Sequence, residues 1–146
     1  AINSEILNTF QREHPDLRDR IIVTGPVAND DLPSYIHNSD VLVHPRLGDW
    51  CPNVIVEAMA CGVPVVCGAW GGAAELVGEA GAVVSVGPWE YGDDYVESLS
   101  CATAVVLEDL EHYRSLARKR AESEFDIRQI AIRYINHLFG KGDPGA

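Results

Sequence analysis

Residues 44–66 read HPRLGDWCPNVIVEAMACGVPVV, and this stretch decides the fold. Its middle predicts a helix over residues 53–61, with Pro52 in the first turn and Gly62 just after the end. Residues 63–67 then predict a short buried strand. One carboxylate, Glu57, interrupts the apolar helix. It either belongs to a solvated helix face or lies at the mouth of a site, where it accepts hydrogen bonds from ligand hydroxyls such as a vicinal diol.

The same alternation of strands and helices continues along the chain in both directions. Short β-branched or apolar runs bounded by Gly or Pro predict strands, and apolar residues at helical spacing predict helices. Strands are expected over residues 21–24, 41–43, 63–67 and 82–86. Helices are expected over residues 2–13, 30–38, 53–61, 71–77, 94–107, 109–123 and 126–139.

This order predicts an α/β fold, namely a Rossmann-like parallel sheet of about four strands with helices on both faces and a helical C-terminal segment. We expect a single domain over residues 1–146. Its alternating helix/strand core covers residues 1–86, and its C-terminal helices cover residues 94–139.

The composition limits the class of protein. A formal net charge of −11 disfavours nucleic acid as a partner, because phosphates require a basic surface. No apolar run reaches the roughly 20 residues of a membrane helix, and no signal-peptide pattern opens the chain, so we expect a cytoplasmic protein. The cysteines show no zinc spacing, and three lie in or beside apolar segments. We therefore expect no metal site and buried free thiols at Cys51, Cys61, Cys67 and Cys101.

Three loops follow predicted strands, at residues 25–29, 45–52 and 68–72. Ligands of an open parallel sheet bind at the carboxyl ends of its strands, so we expect these loops to converge. Asp49 lies in the second loop, eight residues before Glu57, so both acids can face one ligand. The third loop ends in a pair of glycines, which serve either as a plain strand-to-helix turn or as a close approach for an anionic ligand.

Further side chains near these loops have two interpretations each. Glu75 either complements the dipole of the helix that follows the glycine pair or joins the site. Arg46 either neutralises a phosphate or forms an exposed salt bridge, and His44 lies beside it. Trp50 and Trp70 either cover a sugar or base or pack within their loops.

Residues 51–66, together with GGAAELV at 71–77 and Ala80-Gly81, resemble the retaining glycosyltransferases of the GT-B fold, family 4, known as glycosyl transferases group 1. Segments at 25–27, 32–36 and 39–43 fit the same pattern, and the resemblance covers about residues 20–138. It implies the carboxyl-terminal domain of such an enzyme, which binds a UDP-, GDP- or ADP-sugar without a metal or other cofactor.

The resemblance also implies roles for individual residues. The family carries an acid, seven residues and then a glutamate, which corresponds here to Asp49 and Glu57. By resemblance Glu57 binds the donor ribose and Asp49 contacts the transferred sugar, although Asp is one methylene shorter than the Glu usual there. We expect Asp49 and Glu57 to be catalytic and the donor-binding set to be Gly25, Arg46, Asp49, Asn53, Glu57, Gly71, Gly72 and Glu75.

The resemblance further implies that two strands and the acceptor domain of the family are missing from these residues. Their removal leaves an apolar edge beside residues 41–43, and exposed edges tend to pair with other chains. We expect either that residues 21–24 shift to pair with 41–43, or that a second copy or a partner chain covers the edge. Any peripheral membrane contact would come through the missing domain.

Two functions follow from these features. One is the donor half of a glycosyltransferase that transfers a sugar with retained configuration and is inactive alone. The alternative is a non-catalytic binding or oligomerisation module, or a fragment, that keeps the fold without turnover.

Overall fold

The computed structural model describes residues 4–140. The chain forms two compact units, residues 1–32 and residues 33–146. The single domain that we expected from the sequence remains a prediction.

The first unit contains helix α1, Ser4–Glu13, and a 3-10 turn, Arg18–Arg20. The strand predicted over residues 21–24 is wrong, because these residues join no sheet in the described part of the chain. Ile22 is 84% exposed. A β-branched run fits a pleated, half-buried surface, and here no neighbouring strand supplies that surface. The expectation that residues 21–24 pair with residues 41–43 is therefore also wrong.

A three-stranded parallel sheet forms the centre of the second unit. Strands β1 (Leu42–His44), β2 (Val65–Gly68) and β3 (Gly81–Val84) lie in the order β1-β2-β3. Leu42 lies opposite Val65 in the first pair, and Val65 lies opposite Gly81 in the second. The predicted α/β class is confirmed, with three strands among the described residues rather than four. Strand β1 lies at an edge of the sheet, and coverage of that edge by another chain remains a prediction.

A helix precedes the sheet and one follows each strand. Helix α2, Leu32–His37, comes before β1. The helices that follow the three strands are α3 (Asn53–Ala60), α4 (Ala73–Val77) and α5 (Asp93–Glu108). Each crossover returns the chain to the same end of the sheet, as a parallel arrangement requires. The carboxyl ends of all three strands therefore lie along one edge.

The core is centred on β2, all four residues of which are buried. On one face, Val66 packs in a cluster with Leu99 and Val106 of α5. Because side chains alternate along a strand, Val65 and Cys67 face the other side, where α3 and α4 pack against β2. Both faces are covered, which explains the continuous apolar run.

Two further helices, α6 (Leu110–Glu124) and α7 (Ile127–Leu138), complete the described chain. Arg120 of α6 donates to the backbone oxygens of Leu76 and Glu75, at 2.6 and 2.7 Å. The guanidinium thus satisfies carbonyls at the end of α4, a favourable position for a cation. This contact holds α4, and with it the loop before α4, against the rest of the unit.

The cysteine prediction is right for one residue and wrong for two. Cys67 is buried, Cys61 is half-buried, and Cys51 and Cys101 are exposed. Burial raises the pKa of the Cys67 thiol to about 11. Within residues 4–140, no helix combines the length and the apolar character needed to cross a bilayer.

Candidate functional site

Two loops meet at the carboxyl edge of the sheet. The backbones of Asp49 and Gly71 form a parallel bridge. The Gly72 N–H donates to the backbone oxygen of Asp49 at 2.9 Å, and the Gly48 N–H donates to the oxygen of Trp70 at 3.0 Å. The structure therefore brings one candidate acid directly beside the glycine pair.

The loop contact itself requires glycine at both positions. A Cβ atom on Gly72 would lie 2.0 Å from the Trp50 oxygen, and one on Gly71 would lie 2.7 Å from the Asp49 oxygen. Gly71 also has φ +118°, which side chains rarely allow. The Gly72 N–H is already hydrogen-bonded to the backbone oxygen of Asp49. Contact between the two loops therefore accounts for glycine at both positions without a ligand.

The Asp49 carboxylate lies between two cationic or ionisable partners. Its Oδ2 is 3.9 Å from Nη1 of Arg46 and 3.7 Å from Nε2 of His44. Both distances exceed hydrogen-bond range, so these are loose electrostatic contacts. The Arg46 side chain is 73% exposed, and its attraction to Asp49 is accordingly screened by water. Arg46 remains free to turn toward an anionic ligand.

His44 is the polar residue beneath this acid. Burial lowers the pKa of its imidazole; the nearby Asp49 opposes this change and Arg46 adds to it. Its Nε2 is buried and has no hydrogen-bond partner among the described residues. Burial therefore favours the neutral form of the ring, and its Nε2 lies 3.7 Å from the Asp49 carboxylate. The sequence indicated its position but gave no role for it.

Asn53 and Glu57 lie on α3, the helix that follows residues 45–52, which we call the acid loop because they carry Asp49. Both are exposed, and their spacing of four places them on one face of α3. No side chain caps the start of this helix, and the Ile55 N–H donates to the Pro52 oxygen at 3.1 Å, so the N–H groups of the first two residues are the ones available to an anion. In the described part of the chain, the Glu57 carboxylate forms no hydrogen bond or ion pair.

Two further residues of the predicted donor-binding set, Glu75 and Gly25, form no described contact with Asp49 or Glu57. Glu75 is exposed on α4, and its backbone oxygen, rather than its carboxylate, contacts Arg120. Gly25 belongs to the first unit and has φ +64°. The predicted convergence of residues 25–29 with the other loops stays a prediction.

Two tyrosines that the sequence analysis did not identify hold the acid loop from the other side. The Leu47 N–H donates to Oη of Tyr91 at 2.7 Å, and the Tyr95 hydroxyl donates to the Pro45 oxygen at 3.0 Å. Both tyrosines lie more than 40 residues along the chain from their partners. Tyr91 lies between the strand predicted over residues 82–86 and the helix predicted over residues 94–107, and Tyr95 lies within that helix. The sequence pattern gave no signal of either contact.

Comparison with known proteins identifies the family to which the chain belongs. The sequence profile of the glycosyl transferases group 1 matches residues 4–109. The chain belongs to this glycosyltransferase family. Among its relatives, it is 28% identical over 132 residues to the 2-deoxystreptamine glucosyltransferase of Streptomyces kanamyceticus, covering 86% of this chain and 33% of the relative. It is 32% identical over 115 residues to O-antigen chain mannosyltransferase B of Escherichia coli, covering 77% and 28%.

Solved glycosyltransferase structures show the same fold. Sucrose-phosphate synthase from Thermosynechococcus elongatus matches with a TM-score of 0.71 and 27% identity, covering 93% of this chain and 34% of that one. Anabaena Alr3699/HepE in complex with UDP matches with a TM-score of 0.67 and 25% identity, covering 94% and 37%. The expected GT-B relationship is confirmed, and the chain spans about a third of the length of these proteins.

Proposed function

We propose that this chain binds the nucleotide-sugar donor of a retaining, family 4 glycosyltransferase. The ligand would occupy the hollow formed by residues 45–52, residues 68–72 and the start of α3. The bridge between Asp49 and Gly71 carries the proposal, because it fixes an acid at the carboxyl edge of a parallel sheet. The likeness to HepE, solved with UDP and with UDP-glucose, supports a nucleotide-sugar as the ligand.

Each exposed group around the hollow has a proposed contact. The Glu57 carboxylate accepts hydrogen bonds from the ribose hydroxyls, with Asn53 one turn earlier on the same face. The free N–H groups at the start of α3 and the Arg46 guanidinium meet the diphosphate. Asp49 accepts a hydrogen bond from the sugar to be transferred. The proposed donor-binding set is completed by Gly25, Gly71, Gly72 and Glu75.

Transfer with retention breaks the bond between the anomeric carbon and the donor phosphate oxygen. The acceptor oxygen forms its new bond on the same face, and its proton passes to the departing diphosphate. Arg46 and the α3 N–H groups stabilise the charge on the leaving group, and Asp49 stabilises the positive charge on the sugar ring. In this proposal another part of a longer protein, or a partner, supplies the remaining half of the cleft.

One observation favours the alternative, a non-catalytic binding or oligomerisation module, or a fragment, that keeps the fold without turnover. Residues 45–52 and 68–72 contain a single cation, Arg46. A diphosphate leaving group is ordinarily held by several cations or N–H donors. In both cases we propose that the protein is cytoplasmic. We also propose in both cases that a second copy or a partner chain covers the β1 edge.

Isothermal titration with UDP, GDP and ADP tests the proposal on the chain as it stands. We expect one nucleotide to bind, and Glu57→Ala to weaken it roughly tenfold or more, since a charge-assisted hydrogen bond is lost. Glu111→Ala, at an exposed position on α6, is the matched control and should bind like the parent. No binding to any nucleotide would favour the alternative, and an equal loss in both variants would refute the role of Glu57.

A further inference from the structure

We propose that His44 positions the Asp49 carboxylate for the sugar to be transferred. In this role the Nε2–H of its ring donates a hydrogen bond to Asp49 once a nucleotide-sugar is bound. The inference rests on the proposed donor site, in which Asp49 accepts a hydrogen bond from that sugar. His44 does not touch the ligand itself, so it acts through Asp49 as a positioning residue.

His44 ends strand β1 with a polar side chain that the protein almost covers. The side chain is 13% exposed, and its Nε2 atom is buried without a hydrogen-bond partner among residues 4–140. Buried polar atoms in folded proteins nearly always have a partner, so one without a partner requires an explanation. An acceptor lies near it, because Oδ2 of Asp49 is 3.7 Å from Nε2, somewhat beyond hydrogen-bond range. The two groups thus form a pair that is assembled but not closed.

The Asp49 charge selects which ring nitrogen of His44 carries the proton. Burial lowers the pKa of His44 and favours the neutral ring, which has one N–H donor and one bare nitrogen. A bare Nε2 would direct its lone pair toward the negative carboxylate, and this arrangement is repulsive. The proton therefore belongs on Nε2, which makes this atom a donor 3.7 Å from an acceptor.

Asp49 has two other sources of stabilisation while the site is open. Its side chain is 25% exposed to water, and Nη1 of Arg46 lies 3.9 Å from Oδ2. The proposed complex withdraws both, because the sugar covers the carboxylate and Arg46 turns to the diphosphate. A carboxylate removed from water needs hydrogen bonds to remain charged. Of the two cationic or ionisable side chains within 4 Å of it in the described part of the chain, His44 is the one that remains.

A small movement closes the pair. The distance from Nε2 to Oδ2 has to shorten from 3.7 Å by roughly 0.5–1 Å to reach hydrogen-bond length. The backbone oxygen of Asp49 is held by the Gly72 N–H, so the movement comes from rotation of the Asp49 side chain rather than from the loop. Oδ2 then accepts from His44, and Oδ1 is left to accept from the sugar.

NMR of the ring nitrogens in the chain labelled with ¹⁵N-histidine tests this arrangement without any substitution in the protein observed. The sequence contains five histidines, and the signal that is lost in His44→Gln is that of His44. At pH 7.5 we expect the Nε2–H tautomer. Saturation with UDP-glucose should move its N–H proton downfield and slow its exchange with water, whereas UDP should change it far less because Asp49 stays open to water. The Nδ1–H tautomer, an unchanged signal, or equal responses to the two ligands would overturn the proposal.

Two substitutions at position 44 separate the hydrogen bond from packing. Gln keeps an N–H donor, whereas Leu removes it. By calorimetry, His44→Leu should weaken UDP-glucose binding roughly tenfold, since a hydrogen bond to a charged group is lost. His44→Gln should stay within threefold of the parent, and both variants should bind UDP within twofold of the parent. Equal losses in the two variants, or an equal loss for UDP, would refute the positioning role.

A control variant and the nucleotide titration complete the design. His112→Leu, at an exposed position on α6, should bind both ligands like the parent. If the titration selects GDP or ADP, the corresponding nucleotide-sugar replaces UDP-glucose. Binding of the nucleotide-sugar without a response from His44 would overturn the positioning role and leave the donor site standing. A chain that binds neither nucleotide nor nucleotide-sugar would overturn the donor site, and the role of His44 with it.

Discussion

Replacing Tyr91 by Phe should loosen the loop that carries Asp49. The substitution removes one hydroxyl, which accepts the Leu47 N–H at 2.7 Å and lies 3.4 Å from the Leu47 oxygen. Leu47 is 1% exposed, so its N–H has little access to water once that partner is gone. A buried donor left without a partner costs about 1–3 kcal/mol. Because Tyr91 is 56% exposed, water enters part of the space, and we expect a loss of about 1 kcal/mol.

Denaturant unfolding measures this loss, and amide hydrogen exchange locates it. In Tyr91→Phe the Leu47 amide should exchange faster, while amides in the buried strand β2 change only with global stability. Tyr134→Phe is the matched control, because Tyr134 is exposed on α7. If the two variants are equally stable and Leu47 exchange is unchanged, the reasoning that Tyr91 holds the acid loop is wrong.

Two other substitutions probe the loops and the buried histidine. Gly72→Ala should destabilise the fold by more than about 2 kcal/mol in denaturant unfolding, because its Cβ would lie 2.0 Å from a backbone oxygen. Gly92→Ala, where no atom lies within 4 Å of the new Cβ, should change stability by less than about 1 kcal/mol, and similar losses would contradict this account. Because burial lowers the pKa of His44, the unfolded chain binds its proton more readily, and stability should fall as the pH drops below about 6.5. Unfolding measured from pH 8 to pH 5 should show a shallower fall for His44→Gln, and parallel curves would exclude this source of pH dependence.

The sequence was sufficient to predict the parts of the fold that depend on local pattern. The helix over residues 53–61 and the strand over residues 63–67 appear within two residues of their predicted limits, as α3 and β2. Pro before a helix, Gly after it and an apolar run are local signals of this kind. The same reasoning failed at residues 21–24, because a strand also needs a neighbour, and the pattern of a run does not say whether one is present.

The contacts that shape the candidate site depend on distant segments, and these the sequence did not reveal. The sequence analysis explained Gly72 by a turn or by a ligand. The structure shows instead that the facing loop excludes a side chain at this position. Tyr91 fell outside the predicted strands and helices and Tyr95 fell within the helix predicted over residues 94–107, although they contact residues 44 and 50 positions earlier. Such pairings are set by tertiary packing, which a single sequence does not record.

The contacts that hold the acid loop lead to a prediction about Asp49, which stands where the family usually has Glu. Asp49 is tied through its backbone to Gly72, and its loop is tied to Tyr91 and Tyr95. The loop therefore cannot retreat to make room for a longer acid at position 49. In Asp49→Glu the extra methylene should push the carboxylate into the space that we propose for the transferred sugar and weaken UDP-glucose binding roughly tenfold.

The affinity for UDP separates this steric effect from a general disturbance. UDP lacks the sugar, so Asp49→Glu should change its dissociation constant by less than about twofold, and calorimetry with both ligands measures the two effects side by side. Exchange of the Leu47 amide should match the parent, because the backbone contacts of residue 49 do not involve its side chain. An equal loss of affinity for UDP and for UDP-glucose would show that residue 49 acts through the nucleotide or the loop, and would remove the reason for assigning it to the sugar.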